Sequence, residues 1–329
     1  MTVTLGADGC KVAVIIVNFN SGQYLRRCLD TLACQTFRDF HTIVVDNASS
    51  DGSVHGIQSH YPGVSVVQAG ANVGFAAGNN LGLLHAGRVP WIALLNPDAY
   101  AAPNWLEQLI AATATDNFDF FGCHMRLADM PEVLDGTGDM YHVSGVAWRR
   151  DHGVRASDCI RDMEEIFAPC AAAAMYRRSD LEAVGGFDES YFCYFEDVDL
   201  AFRLRLRGLR CAYIPTAIVD HVSSGISGRR SDFSTYHGQR NMIWTYVKNM
   251  PAPLFWIYLP LHLCANALGV VVCAVRGQFG VALRAKLDAI HGLPNVLRKR
   301  RLVQAEARVN WRDLRATMAT GLYSLWHRS

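Results

Sequence analysis

Residues 12–20 read Val-Ala-Val-Ile-Ile-Val-Asn-Phe-Asn, and residues 42–53 read Thr-Ile-Val-Val-Asp-Asn-Ala-Ser-Ser-Asp-Gly-Ser. Each is a run of mostly β-branched residues that breaks abruptly into polar ones. An apolar run without alternation is what a strand buried on both faces requires. Between the two runs Leu25, Cys28, Leu29 and Leu32 recur on one helical face behind Ser21, a candidate cap. Val64–Val67 and Trp91–Leu95 are the third and fourth apolar runs. Strands alternating with helices predict an α/β protein with a mainly parallel sheet flanked by helices, and such sheets take ligands at the carboxyl ends of their strands. That is where the sequence places its unusual polar residues: Asn18 and Asn20, Asp46 and Asn47, Asn72, and Asn96 with Asp98.

Further along, residues 116–168 are rich in Asp, Gly and His and show only weak periodicity. Ser179-Asp180-Leu181-Glu182 has the spacing of a capping box, closed by Gly185-Gly186. A helix is expected from Glu196 to Arg207, stopping at Gly208. Cys211–Ile214 and Ala217–Val219 read as two short strands leading to Asp220-His221. No repeat and no low-complexity tract interrupts the chain.

The chain has 329 residues, half of them apolar and 19% charged, which rules out a disordered protein and suits one large or two unequal domains. A formal charge of +1 argues against a generally basic nucleic-acid binder. The near-neutral total hides an asymmetry: residues 1–275 carry 20 basic against 27 acidic groups, and residues 276–329 carry 11 against 3. Ten cysteines without a single CxxC pair, most of them inside apolar runs, read as reduced thiols of a cytoplasmic protein and not as disulfides or zinc ligands. The N-terminal residues lack the pattern of a signal peptide.

Pro251–Val275 contains no formal charge and is long enough to span a bilayer, but Pro253, Pro260, His262, Asn266 and Gly269 interrupt it. Arg276, Arg284, Lys286 and the cluster Arg298-Lys299-Arg300-Arg301 follow. An apolar helix flanked by basic residues favours an element lying on an anionic membrane surface over a buried helix or a true span.

Four stretches could carry chemistry. Asp46, at a strand exit, could accept the imide N–H of a uracil or thymine base, or with Ser49 and Asp51 could merely cap a helix. The small residues of Asn72-Val73-Gly74-Phe75-Ala76-Ala77-Gly78-Asn79-Asn80 allow either close approach of a nucleotide or tight helix packing. Asn96-Pro97-Asp98 could hold a divalent cation bridging two phosphates, with the Asn contributing an oxygen but no charge, or could form a simple turn. Glu196-Asp197-Val198-Asp199 suits a helix N-terminus, and Asp199 can pair with Arg203, yet three acids in four residues exceed what capping needs. His221, after a strand, is the last candidate.

In this order and spacing the four stretches resemble inverting glycosyltransferases of family 2, in particular their rhamnosyltransferase-like branch, with its VNFN, VDNASxDGS, NxGFAAGNN, LLNPD and GGFDExxFxYxEDVDL motifs. The likeness covers roughly residues 11–250. It implies a GT-A nucleotide-diphospho-sugar transferase fold over residues 1–250, with a nucleotide half (about 11–115) and an acceptor half (about 116–250); residues 251–329 lie outside the likeness and read from their own composition as a helical, basic, membrane-associating region. It implies a nucleotide-sugar site drawing on Asn18, Asn20, Asp46, Asn72, Gly74, Asn79, Asn96 and Asp98. Mg²⁺ or Mn²⁺ would sit at Asp98 and His221, and Asp197 would be the general base. Glu196 and Asp199 would bind the acceptor or support the helix. The expected partners are a nucleotide-diphospho-sugar (dTDP-rhamnose first, UDP-galactofuranose or a UDP-hexose as alternatives), a lipid-linked or polysaccharide acceptor, and the anionic inner face of the cell membrane. No nucleic acid is expected, and homo-oligomerisation is left open. A catalytically silent nucleotide-sugar-binding protein is the competing class, supported by Asn96 and opposed by the Glu-Asp-Val-Asp stretch.

Overall fold

The computed structural model describes residues 9–115, 117–223 and 231–321. The N-terminal residues read for a signal and Arg328 of the basic tail lie outside them. The four apolar runs become β1 (Val12–Asn18), β2 (Phe40–Asp46), β3 (Val64–Gln68) and β4 (Trp91–Leu95). Every residue of β1 is buried. They align parallel in the order β3-β2-β1-β4, with Asn18 beside Asp46 at the strand ends. The chain steps outward from β1 to β3 and then returns to the other side of β1, so a crevice opens at the carboxyl ends of β1 and β4.

Helix α1 (Tyr24–Ala33) buries the expected Leu25, Cys28, Leu29 and Leu32. Ser21 does not cap it: the helix starts too late, and the Ser21 hydroxyl donates to the Asn18 side chain instead. After the single-turn α2 (Ile57–His60), α3 (Gly74–His85) lies across β1 and β2. A Cβ on Gly78 would stand 2.7 Å from Val17, and one on Gly82 would enter the Ile15 side chain. Those glycines therefore serve helix-on-sheet packing. Gly74 has φ +85° and lies against the Phe192 carbonyl, which a side chain would displace.

Beyond β4 come β5 (Ala99–Ala101), α4 (Trp105–Ala112), β6 (Phe120–Leu127) and β7 (Met130–Gly136), then β8 (Asp139–Tyr141), β9 (Ala147–Arg149) and β10 (Glu164–Ile166). The weakly periodic stretch is thus built largely of strands: β6 and β7 have eight and seven residues, and β8, β9 and β10, with three each, are too short to show alternation. Next are β11 (Ala173–Arg177), α5 (Arg178–Ala183), α6 (Glu196–Leu206) and β12 (Cys211–His221). β11 enters antiparallel between β4 and β6, and β12 lies parallel to β6, so the sheet becomes mixed past β4. β12 is one strand where two were expected. Its register shifts between Ile214 and Ile218, around Pro215, which has no N–H to give the ladder.

The capping box is absent as well, because β11 runs directly into α5 and Ser179 lies inside the helix. Gly185 and Gly186, at φ +76° and +67°, do end it as expected. The C-terminal helices are α7 (Asp232–Asn249), α8 (Ala252–Val275), α9 (Phe279–His291), α10 (Leu293–Ala305) and α11 (Trp311–Ala316). α8 and α9 pack on each other and on α7, and α11 packs on α8. Leu254, Leu314 and Met318 belong to the same buried core as Ile15 and Leu94 of the sheet. The basic cluster is divided: Lys299 pairs with Asp188 and Arg300 donates to the carbonyls of Val247 and Met250, while Arg298 and Arg301 face solvent.

Candidate active site

A cleft of about 880 Å³ opens at the carboxyl ends of β1 and β4, within the range of small-molecule sites. One wall carries Asn20, Asn72, Gly74, Asn96 and Asp98. Phe19, 37% exposed, and Asn47 join them, although the sequence reading assigned neither a role. Asp46 lies at the end of β2, 2% exposed, its Oδ1 accepting from Asn18 Nδ2 at 3.2 Å and from the Ser49 N–H at 3.3 Å.

Three residues expected at the nucleotide, Asp46, Asn18 and Asn79, are not among those lining the cleft. Asn18 is fully buried, with Nδ2 donating to Asp46, Ser49 and Ser53, so it braces the loop after β2 from behind. Asn79 is 3% exposed and donates back to the Phe75 carbonyl within α3. Asn80 is the member of that pair with a long-range role: it bonds the N–H and carbonyl of Phe187 and so ties α3 to the Gly-Gly-Phe-Asp-Glu turn.

β12 delivers His221 next to Asp98, with Nε2 3.3 Å from Asp98 Oδ1. Its Nδ1 lies 2.8 Å from Asp135 Oδ2, a carboxylate on β7 with no exposed surface. Burial pulls the His221 pKa down, but hydrogen bonds to Asp135 and Asp98 outweigh it and carry it up to about 8. Asn96 Oδ1 is buried and lacks a partner. An unpaired amide oxygen, a carboxylate, and an imidazole oriented by a second carboxylate form a donor set that fits a hard divalent cation.

The same cleft holds the acids, and Arg149, which pairs with Asp135 at 2.5 Å, links them to His221. Glu196 and Asp197 begin α6, where the helix N-terminus favours negative charge. Asp197 Oδ1 accepts from the Val198 N–H at 2.8 Å and Oδ2 from the Ala171 N–H at 3.3 Å. Asp139 of β8 lines the same wall, and its carboxylate, the Asp197 carboxylate and Cys170 Sγ lie within 4.8 Å of one another. Arg149 supplies the counter-charge, donating to Cys170 Sγ at 2.8 Å, with Nε 4.0 Å from Asp139. Burial, then the neighbouring Asp197, pushes Asp139 up to about 8, and burial raises Asp197 against its two N–H bonds. Glu196 is raised by burial and by Asp197.

Asp199 does not reach the cleft. It has no exposed surface and binds Lys248 Nζ at 2.7 Å, Arg203 Nε at 2.9 Å and Asn249 Nδ2 at 2.7 Å, which makes it a support of α6 and not an acceptor-binding group. The loop that aims α6 is strained: Phe192, Tyr194 and Phe195 take φ of +66°, +67° and +67°, a region costly for bulky side chains. Buried Asn241 of α7 holds it by donating to the carbonyls of Tyr191, Cys193 and Tyr194 at 3.1, 3.0 and 2.7 Å.

A parallel half-sheet with a cation-type donor set at its switch point and acids on a helix N-terminus in the same cleft is the arrangement expected of a GT-A nucleotide-diphospho-sugar transferase fold. The model of the family described as glycosyl transferase family 2 matches residues 13–185, and the chain belongs to that family. Among curated relatives, the N-acetylglucosaminyl-diphospho-decaprenol L-rhamnosyltransferase of Mycobacterium tuberculosis is 30% identical over 240 residues, covering 66% of this chain and 77% of its own length. Rhamnosyltransferase WbbL of Escherichia coli is 25% identical, covering 62% of this chain and 80% of its own. Two solved structures share the fold. The mannosyltransferase PcManGT from Pyrobaculum calidifontis, in complex with GDP-Man and Mn²⁺, superposes with a TM-score of 0.55 at 18% identity, covering 90% of this chain and 84% of that one. S. aureus TarS in complex with UDP gives 0.54 at 18% identity, covering 77% and 72%.

Proposed function

We propose that the chain transfers a sugar, L-rhamnose from dTDP-rhamnose in the first instance, to a hydroxyl of a lipid-linked or polysaccharide acceptor of the cell envelope, with inversion. One observation carries the reading: the Asn96–Asp98–His221 donor set and the Asp197–Asp139 acids line a single cleft. The donor and acceptor classes follow the relatives, both named rhamnosyltransferases and one named for a lipid diphosphate acceptor. A water-soluble donor and a lipid-borne acceptor would meet at the cytoplasmic face of the membrane. The catalytic part, 1–250, and the tail, 251–329, divide that work.

In this reading Asp197 takes the proton of the acceptor hydroxyl as its oxygen attacks the anomeric carbon, and the bonding pair leaves with the nucleoside diphosphate. Burial keeps the Asp197 carboxylate basic, and Arg149 restrains it. Asn20, Asn47, Asn72 and Phe19 face the nucleoside, with Asp46 as the group for the base imide. Asp98, His221 and the Asn96 oxygen would hold Mg²⁺ or Mn²⁺, which when bound supplies positive charge for the leaving diphosphate.

The test is a panel of dTDP- and UDP-sugars with a polyprenyl-diphospho-sugar acceptor, reading release of nucleoside diphosphate. Release with dTDP-rhamnose is expected. Release only with UDP-galactofuranose or a UDP-hexose would replace the donor, and nucleotide binding without any release would make the chain a silent binding partner.

A further inference from the structure

Helix α8 is amphipathic in the inverted sense. Its inward side carries the polar residues: His262, 3% exposed, donates from Nδ1 to the Ser144 carbonyl (2.7 Å) and stacks on Tyr246 with ring centroids 3.9 Å apart. Asn266 bonds Lys286 of α9 at 2.6 Å, and Gly269 lets α8 approach Gln239 of α7. The outward side is apolar along the helix: Trp256, Ile257, Leu263, Leu268, Val271 and Val275 are 57–85% exposed. Beside it, α9 turns Ala282, Ala285 and Ala289 inward and Phe279, Leu283, Leu287 and Ile290 outward, the latter 44–57% exposed. A soluble helix hides such side chains, and a contiguous exposed apolar face marks an interaction surface.

Charge and anchoring select the occupant. Exposed Arg276 and Arg284 flank the face within the α8–α9 hairpin, Arg298 and Arg301 lie exposed on α10, and Arg315 is hydrogen-bonded to Tyr258 of α8 at 2.6 Å. A rim of arginines around an apolar face complements anionic headgroups and would repel a second copy of itself. The anchoring excludes a span: α8 is fastened from Leu254 to Cys273 to α7, α9 and the β8–β9 turn, so crossing the bilayer would drag His262, Asn266 and Lys286 into hydrocarbon.

We infer that the α8–α9 face is a monotopic membrane-docking surface, seated in one leaflet of an anionic bilayer with both helices lying in the interfacial plane. It deepens the reading of a membrane-borne acceptor and rests on that reading only for its purpose. Through the His262–Ser144 bond, α8 is tied to the β8–β9 turn, whose strands carry Asp139, Trp148 and Arg149 into the cleft. The docked face is thereby coupled to the wall that holds the acids.

The experiment needs no sugar transfer. The full chain is mixed with vesicles of phosphatidylglycerol and phosphatidylethanolamine in equal parts, or of phosphatidylcholine alone, with an environment-sensitive fluorophore on exposed Cys264 of α8 in a Cys34→Ser background. Expected are co-sedimentation with the anionic vesicles, only partial release by high salt, and a blue shift of the probe. Quenching should be stronger by lipids spin-labelled near the headgroup than by lipids labelled at the chain end. The exposed double variant Leu268→Glu/Val272→Glu should lose binding at least tenfold with an unchanged melting temperature. Indifference to both vesicle types overturns the inference. So does stronger quenching from the chain end, which means a span, or a dimer that the double variant converts to monomer, which means a face between copies.

Discussion

Asp197 and Asp139 titrate together, and the consequences can be read from turnover. A base must be unprotonated to act, so activity is low where the pair holds its proton and rises with pH as that proton leaves. Burial raises both groups, and the neighbouring Asp197 helps carry Asp139 up to about 8, so the acid limb of kcat/KM should lie above the usual carboxylate value. Asp139→Asn removes the group that titrates with Asp197 and should shift the limb while leaving donor affinity near wild type; a limb that stays put would deny the pair its coupling. Asp197→Asn should lower turnover by about 10²–10⁴-fold, the usual worth of a positioned base. Elsewhere in the cleft, Asp98→Ala should weaken nucleoside-diphosphate binding measured with Mn²⁺ by calorimetry, and His221→Ala should do so less. Equal affinity with and without chelator in the wild-type chain would leave Asp98 without its cation.

At the scale of elements, α6 is held by α7 through groups with no solvent to fall back on. Lys248, 1% exposed, bridges Asp188 at 2.6 Å and Asp199 at 2.7 Å. Breaking one partner of a buried pair typically costs about 3–5 kcal/mol, and Lys248→Met should lose that much stability in urea unfolding at neutral pH. The sign with pH is fixed by the carboxylates. Burial alone would raise Asp188 and Asp199, but Lys248 first, with further cations and hydrogen bonds, holds both below the ordinary range. Their stabilisation is present above the unfolded-state pKa and disappears as pH falls through the folded values, so the gap between wild type and variant should narrow in acid. Asn241→Ala should spare donor affinity yet depress kcat, because three carbonyls of the strained 191–195 loop lose their donor. The same scale explains what was legible. β1 to β4 and the Glu196–Asp197 helix start are contiguous patterns, which a sequence displays directly. Asp135, Asp139 and Arg149 come from the weakly periodic stretch, two of them on three-residue strands, and meet only through tertiary pairing. Asn18 and Asn79 were misplaced for a related reason: a polar residue at a strand end or helix start does not reveal which way its side chain faces.

For the whole molecule, the tail is part of the fold and, in the docking inferred above, also the surface offered to the membrane, and its basic cluster separates the two roles. Arg298 and Arg301 are exposed, whereas Lys299 binds Asp188 and Arg300 closes the C-terminal carbonyls of α7. Reading all four as headgroup contacts therefore counts about twice the electrostatic attraction that the two free arginines supply. Near an anionic surface each free Arg is worth about 1 kcal/mol, which roughly sets what Arg298→Gln/Arg301→Gln can remove. That pair should weaken binding to anionic vesicles, steepen nothing in thermal unfolding, and leave the salt-resistant apolar part intact. Lys299→Gln/Arg300→Gln should do the reverse, lowering the melting temperature by removing one of the two lysines on Asp188 and the donor to the end of α7, with little effect on vesicle affinity. Deleting 251–329 combines both losses and adds a third, since Leu254, Leu314 and Met318 leave the central core and the Ala319–Tyr141 backbone bond beside the catalytic wall goes with them. The truncated chain should therefore be unfolded or aggregated, as circular dichroism and light scattering would show. A soluble, cooperatively melting 1–250 fragment would mean that the tail is an appendage and that the core closes without it.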